Sequence, residues 1–202
     1  MSRAAVPFRP EQLTLRRPVW EALSELYLDT DTRPDLPALA RTLAASGLSV
    51  PDLQMIWQDE VTPVLHGNLL SVAGVWAGFD QDGLEAQIVV RRAKPDRRWP
   101  PLSRLVRSWR SEMDPYFQTA LLLRGDLLAL PEAQWSERVA AWSWLAHAYF
   151  WPESPRLVAV PATPDLETLF AALEPQLRPL MTVEESAEYH RLHVLKLIRE
   201  QS

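Results

Sequence analysis

Few side chains in this 202-residue sequence are spaced for chemistry, and the histidines are the first to consider. His190 and His193 lie three residues apart, so one helix would place both on the same side. Two imidazoles and a carboxylate from Glu184, Glu185 or Glu188 would form a metal site. No second motif supports such a site, so we predict no bound metal. A metal-dependent enzyme centred on this pair is the weakest functional hypothesis.

The other candidate catalytic residues lack partners in the sequence. His147 lies in a Trp-rich apolar stretch, which predicts a buried structural histidine, and His66 is predicted to lie in a loop. Ser71 has no identifiable base, and Asp80–Gly83 is only a fragment of a calcium-binding loop. The absence of cysteine excludes thiol nucleophiles and Cys-ligated metals. We therefore predict no catalytic residue, no cofactor and no enzymatic activity.

Positive charge is concentrated in residues 91–110, which we call the basic segment. Eight basic residues and one acidic residue, Asp96, give it a net charge of +7. Because the formal net charge of the whole chain is −5, the remaining residues carry −12. Trp99 has a ring that can stack on a base or lie under an arginine. We predict that partner or phosphate contacts come from Arg91, Arg92, Lys94, Arg97, Arg98, Trp99, Arg104, Arg107 and Arg110.

Several interpretations of the basic segment remain open. It binds an acidic protein partner or the protein's own acidic face, it binds nucleic acid, or it is only a solvated surface. The leading hypothesis is a non-enzymatic cytoplasmic interaction protein with a charged protein–protein surface, specialised as an immunity, antitoxin-like or defence-accessory protein. The expected partner is another protein or a second copy of the chain, and a nucleic-acid-binding accessory is the alternative. The acidic residues predicted to lie on exposed faces are Glu21, Glu25, Asp29, Asp31, Asp52, Asp59 and Glu60.

The elements that position these residues are predicted to be helices. Apolar residues recur at helical spacing and no sustained strand alternation occurs, so the fold class is all-α. With 18 Pro against 6 Gly, prolines mark helix starts. The predicted helices cover 18–28, 35–46, the stretch from Ser49 to Pro63, 69–77, 83–92, 102–113, 115–123, 132–151, 165–173 and 183–200. Residues 1–15 are predicted to be irregular, and 152–164 a connector or short strand.

Three prolines in 94–101 indicate a linker rich in Pro and Arg between two bundles of short helices. The predicted division is therefore an N-terminal domain over 1–93 and a Trp-rich C-terminal domain over 102–202. No apolar run approaches the length of a membrane span, and the N-terminus lacks a signal-peptide pattern. These features predict a cytoplasmic protein that makes no membrane contact.

Two runs resemble a known group of sequences. They are Arg17–Thr30 (RPVWEALSELYLDT) and Asn68–Asp80 (NLLSVAGVWAGFD). Together they resemble a family of small, functionally uncharacterised bacterial proteins, over about residues 16–92. That family often has a Glu where this chain has Val75. The resemblance implies a helical domain that ends near Arg92 and implies no activity, and it does not extend to residues 100–202.

Overall fold

The structure, a computed structural model, describes residues 7–28, 30–65, 79–93, 103–152, 161, 165–182 and 185–201, with the backbone alone for 103–112 and 201. These residues form helices and turns without a strand, which confirms the all-α fold class. The predicted helix over 69–77 and the predicted linker over 94–101 lie outside the described residues, as does most of the connector over 152–164. Within the described ranges no helix has the length and apolarity needed to cross a membrane.

The helices follow one another along the chain with short connections. They are α1 (Pro10–Ser24), α2 (Leu36–Ala45), α3 (Val50–Met55), α4 (Thr62–Leu65), α5 (Gln81–Arg92), α6 (Ser103–Leu128), α7 (Trp135–Phe150), α8 (Leu166–Leu177) and α9 (Ala187–Gln201). A π-helix, Ile56–Val61, continues α3 into α4. Short 3₁₀ turns lie at Glu25–Tyr27, Arg33–Asp35, Glu132–Gln134 and Arg178–Leu180.

Helix α1 begins at Pro10, so the prediction of an irregular segment up to residue 15 was wrong. Pro10 occupies the first turn, where its missing N–H costs nothing. The Arg9 N–H is satisfied by the Gln12 side chain at 3.0 Å. Pro18, predicted to start the helix, lies inside it. Burial of Val19, which follows it directly, favours continuing the helix across the one lost hydrogen bond.

Helix α6 is continuous where two helices were predicted, over 102–113 and 115–123. Pro115 lies inside it, and so does Gly125, which was predicted to follow the second helix. Buried side chains at Phe117, Ala120, Leu123 and Leu127 form one face of the helix. Packing of this face offsets the hydrogen bond that Pro115 cannot donate.

The predicted helix starts are otherwise mostly correct. Ser49 and Asp80 accept backbone N–H groups three residues on, at 3.3 and 3.2 Å, as does Asp165 at 2.9 Å. Gly47 ends the preceding helix with a positive φ of 65°. The last helix begins at Ala187 and not at Val183.

By contact density the chain divides into two compact units. Unit 1 comprises residues 1–32 and 45–114, and unit 2 comprises 33–44 and 115–202. This boundary falls within α6, and the short stretch 33–44 belongs with the C-terminal half. The division predicted at the linker, 1–93 and 102–202, stays a prediction, because the linker is not described.

Unit 2 is organised around α7, most of whose surface is buried. The predicted burial of His147 is confirmed, with Nδ1 2.7 Å from the Ser143 carbonyl oxygen. Tyr149 is fully buried, and its ring packs against Phe170 of α8 at 5.9 Å between centroids. Aromatic side chains of α7 therefore supply much of the unit 2 core.

Arg33 joins the stretch 33–44 to the rest of unit 2. Its guanidinium donates to both carboxylate oxygens of Glu185, at 2.7 and 2.9 Å, and to the Leu180 carbonyl at 3.1 Å. The Phe150 ring lies 4.4 Å from the guanidinium carbon. Glu185 also accepts the Thr182 N–H at 2.6 Å. Arg33 thus fixes Glu185 ahead of the helix, and the helix starts later.

Substituting two glycines should have opposite effects on stability. We expect Gly47→Ala to lower the free energy of unfolding by about 1 kcal/mol, because an L-residue is strained at positive φ. Gly125→Ala should raise it by about 0.5–1 kcal/mol, because an added methyl group meets no atom within 4 Å and alanine favours helix. Urea denaturation at low protein concentration measures both. A change of the same sign in both variants would contradict the positive φ of Gly47 or the helical position of Gly125.

Stability should depend on Glu185 in acid. Hydrogen bonds from Arg33 lower the pKa of Glu185 from 4.5 to about 2, against the opposing effect of burial. Because the pKa of Glu185 is lower in the folded state, its negative charge stabilises the fold at pH values above about 4.5. This stabilisation disappears as the pH falls from about 4.5 to about 2. At neutral pH we expect Glu185→Gln to lower the free energy of unfolding by roughly 3 kcal/mol relative to wild type, and this difference should shrink towards pH 2.

Urea denaturation across this pH range tests the assignment. The matched control is Glu167→Gln, which removes an exposed pair with Arg199 and should change little. If Glu185→Gln lowers the free energy of unfolding by the same amount down to pH 2, the lowered pKa of Glu185 is contradicted.

Candidate functional site

The structure places a buried carboxylate, Glu60, beside Arg92, the second residue of the basic segment. Glu60 lies in the π-helix and is 5% exposed. Segments of π-helix are rare and often occur at functional sites, because the extra residue per turn reorients the side chains around it. Here the π-helix places Glu60 towards α1 and α5 of the same unit.

Three donors from these two helices hold the carboxylate. Trp20 Nε1 donates to Glu60 Oε2 at 2.8 Å, and Arg16 Nε donates to Oε1 at 3.3 Å. Arg92 Nη1 donates to the same Oε1 at 3.1 Å. Arg16 and Trp20 are four residues apart in α1, so they lie on one face of that helix. Both carboxylate oxygens are thus satisfied, as burial of a charge requires.

Phe8 covers this cluster from the stretch before α1. Its ring centroid lies 4.0 Å from the Arg92 guanidinium carbon and 5.6 Å from that of Arg16. The ring also packs edge-on against Trp20, with 5.4 Å between centroids. Each guanidinium group is also attracted to the face of the Phe8 ring by a cation–π interaction. We call Phe8, Arg16, Trp20, Glu60 and Arg92 the Glu60 cluster.

The chemistry of the Glu60 cluster is that of an anchor. Both oxygens of the Glu60 carboxylate already accept hydrogen bonds from two guanidinium groups and an indole N–H, so the cluster is a closed structural contact. Arg92 lies in the last turn of α5, and its side chain is 35% exposed. The cluster therefore fixes the position at which the basic segment begins.

The predicted contact residues are described to different extents. Arg91 is exposed, whereas Arg92 is half-buried and paired with Glu60. Arg92 thus also serves the fold, and its contact with a partner stays a prediction. Arg104, Arg107 and Arg110 lie on the helical backbone of α6, and their side chains are not described. Lys94, Arg97, Arg98 and Trp99 lie outside the described residues.

Sequence reasoning missed the role of Glu60 by grouping it with exposed acidic residues. Its neighbours Asp52 and Asp59 are exposed as predicted, but Glu60 is buried. The available signal was its place beside Val61, within an apolar stretch that includes Trp57. A lone acidic residue on a buried face requires a cationic partner, and the distant Arg16 and Arg92 supply it.

The histidine pair serves the packing of α9. His190 Nδ1 lies within hydrogen-bonding distance of the Tyr149 carbonyl oxygen. His193 stacks on Tyr189, and its Nε2 is buried with no hydrogen-bond partner among the described residues. The predicted carboxylate Glu185 is bound to Arg33, and Glu188 pairs with Arg191. Across the described residues, no three histidine or acidic side chains are grouped to hold a metal ion.

Removing the Glu60 charge should destabilise unit 1. Glu60→Gln leaves two guanidinium groups without their counter-charge, one of them buried, so we expect a loss of about 3–5 kcal/mol in the free energy of unfolding. The matched control is Glu85→Gln, whose pair with Arg17 is much more exposed and should contribute far less. Urea denaturation followed by tryptophan fluorescence compares them. Similar losses from both variants would show that Glu60 is no anchor.

Comparison with known proteins gives one match. A family model described as a domain of unknown function, DUF7079, matches residues 14–119. Neither a curated protein nor a solved structure matches the chain. The matched range continues beyond residue 92, where the resembling region was predicted to end, and contains the basic segment and all of the Glu60 cluster except Phe8. Since it covers just over half of the sequence, the chain belongs to the DUF7079 family.

Proposed function

We propose that this protein is a non-enzymatic interaction protein that binds an acidic protein partner through the basic segment. The observation that carries the proposal is charge: residues 91–110 carry +7 and the rest of the chain −12. Such separation of charge steers a partner of matching pattern and fixes its orientation on binding. An immunity, antitoxin-like or defence-accessory role is a specialisation of this proposal.

The Glu60 cluster supports this proposal by holding the start of the basic segment. Arg92 is drawn inward by Glu60 and Phe8, and the preceding Arg91 remains exposed in the last turn of α5. A segment anchored at one end loses less conformational freedom on binding than a free one. In the sequence, Arg104, Arg107 and Arg110 follow at three-residue spacing on the helical backbone of α6.

Ion pairs inside the units support a structural role for their carboxylates. Glu60 is paired with Arg16 and Arg92, and Glu185 is paired with Arg33. Both carboxylates are therefore engaged in contacts that hold the fold.

Nucleic-acid binding is the second candidate function, favoured by eight basic residues and Trp99 within twenty positions. Phosphate binding would depend steeply on salt, because each neutralised phosphate releases counterions. The −12 carried by the remaining residues opposes a long polyanion, whereas a compact protein partner can present its acidic face to the segment alone. This difference favours the protein partner.

Charge reversal tests the proposal. The variant combines Arg97→Glu, Arg98→Glu, Arg104→Glu and Arg107→Glu. The matched control makes the same change in charge at exposed arginines outside the segment, with Arg9→Glu, Arg41→Glu, Arg191→Glu and Arg199→Glu. Wild type and both variants are immobilised and exposed to nuclease-treated host extract. We expect wild type and control to retain the same acidic protein, and the reversal variant to retain at least tenfold less.

Fluorescence anisotropy with labelled DNA and RNA runs in parallel. Sub-micromolar binding that weakens steeply with salt and is lost in the reversal variant would replace the proposal with the nucleic-acid function. Equal protein capture by all three samples would rule out the basic segment as the binding surface. Circular dichroism confirms that each variant is folded.

A further inference from the structure

We draw no further inference here: the strongest candidate, the exposed apolar surface of α6 at Leu122 and Leu128, carries no proposal because nothing in the structure shows what covers it.

Discussion

Burial of the Glu60 carboxylate constrains how α1, the π-helix and α5 of unit 1 are arranged. An isolated charge inside a protein is costly, so the chain must bring hydrogen-bond donors to both oxygens. Trp20 and Arg16 come from α1, and Arg92 comes from the last turn of α5. Three segments far apart in sequence are thereby held in one geometry. The π-helix that carries Glu60 is part of the same solution, because it adjusts the direction in which the side chain points.

Unit 2 also contains an ion pair, but there the cation is the more buried of the two partners. Arg33 is the nearly buried ion, and Glu185 reaches it from the stretch before α9. The Phe150 ring covers the guanidinium, as Phe8 covers Arg92 in unit 1. In each unit an ion pair under an aromatic ring joins residues far apart in sequence, which are Glu60 and Arg92 in unit 1 and Arg33 and Glu185 in unit 2. Such pairs add specificity of arrangement to the less directional packing of apolar side chains.

This use of charge bears on function. Arg92 belongs to the basic segment by sequence and to the fold by its contacts, so the segment starts from a fixed point. By sequence the basic segment carries a net charge of +7, and the structure describes an ion pair of Arg92 within it.

The sequence by itself determined the helical class and many helix starts, because these depend on local chemistry. Ser49, Asp80 and Asp165 accept N–H groups only three residues away, and Gly47 tolerates positive φ wherever the chain around it leads. Family membership is likewise a property of the sequence over residues 14–119. The concentration of charge in 91–110 can also be counted without coordinates.

Tertiary structure decided the features that depend on distant partners. Pro18 and Pro115 looked like helix starts, but burial of the side chains around them keeps each helix continuous. Glu60 resembled its exposed acidic neighbours until Arg16 and Arg92, 44 and 32 residues away, were brought to it. Local spacing describes which side of a helix a residue lies on. It does not contain the position of a partner dozens of residues away, and buried charge depends on that partner.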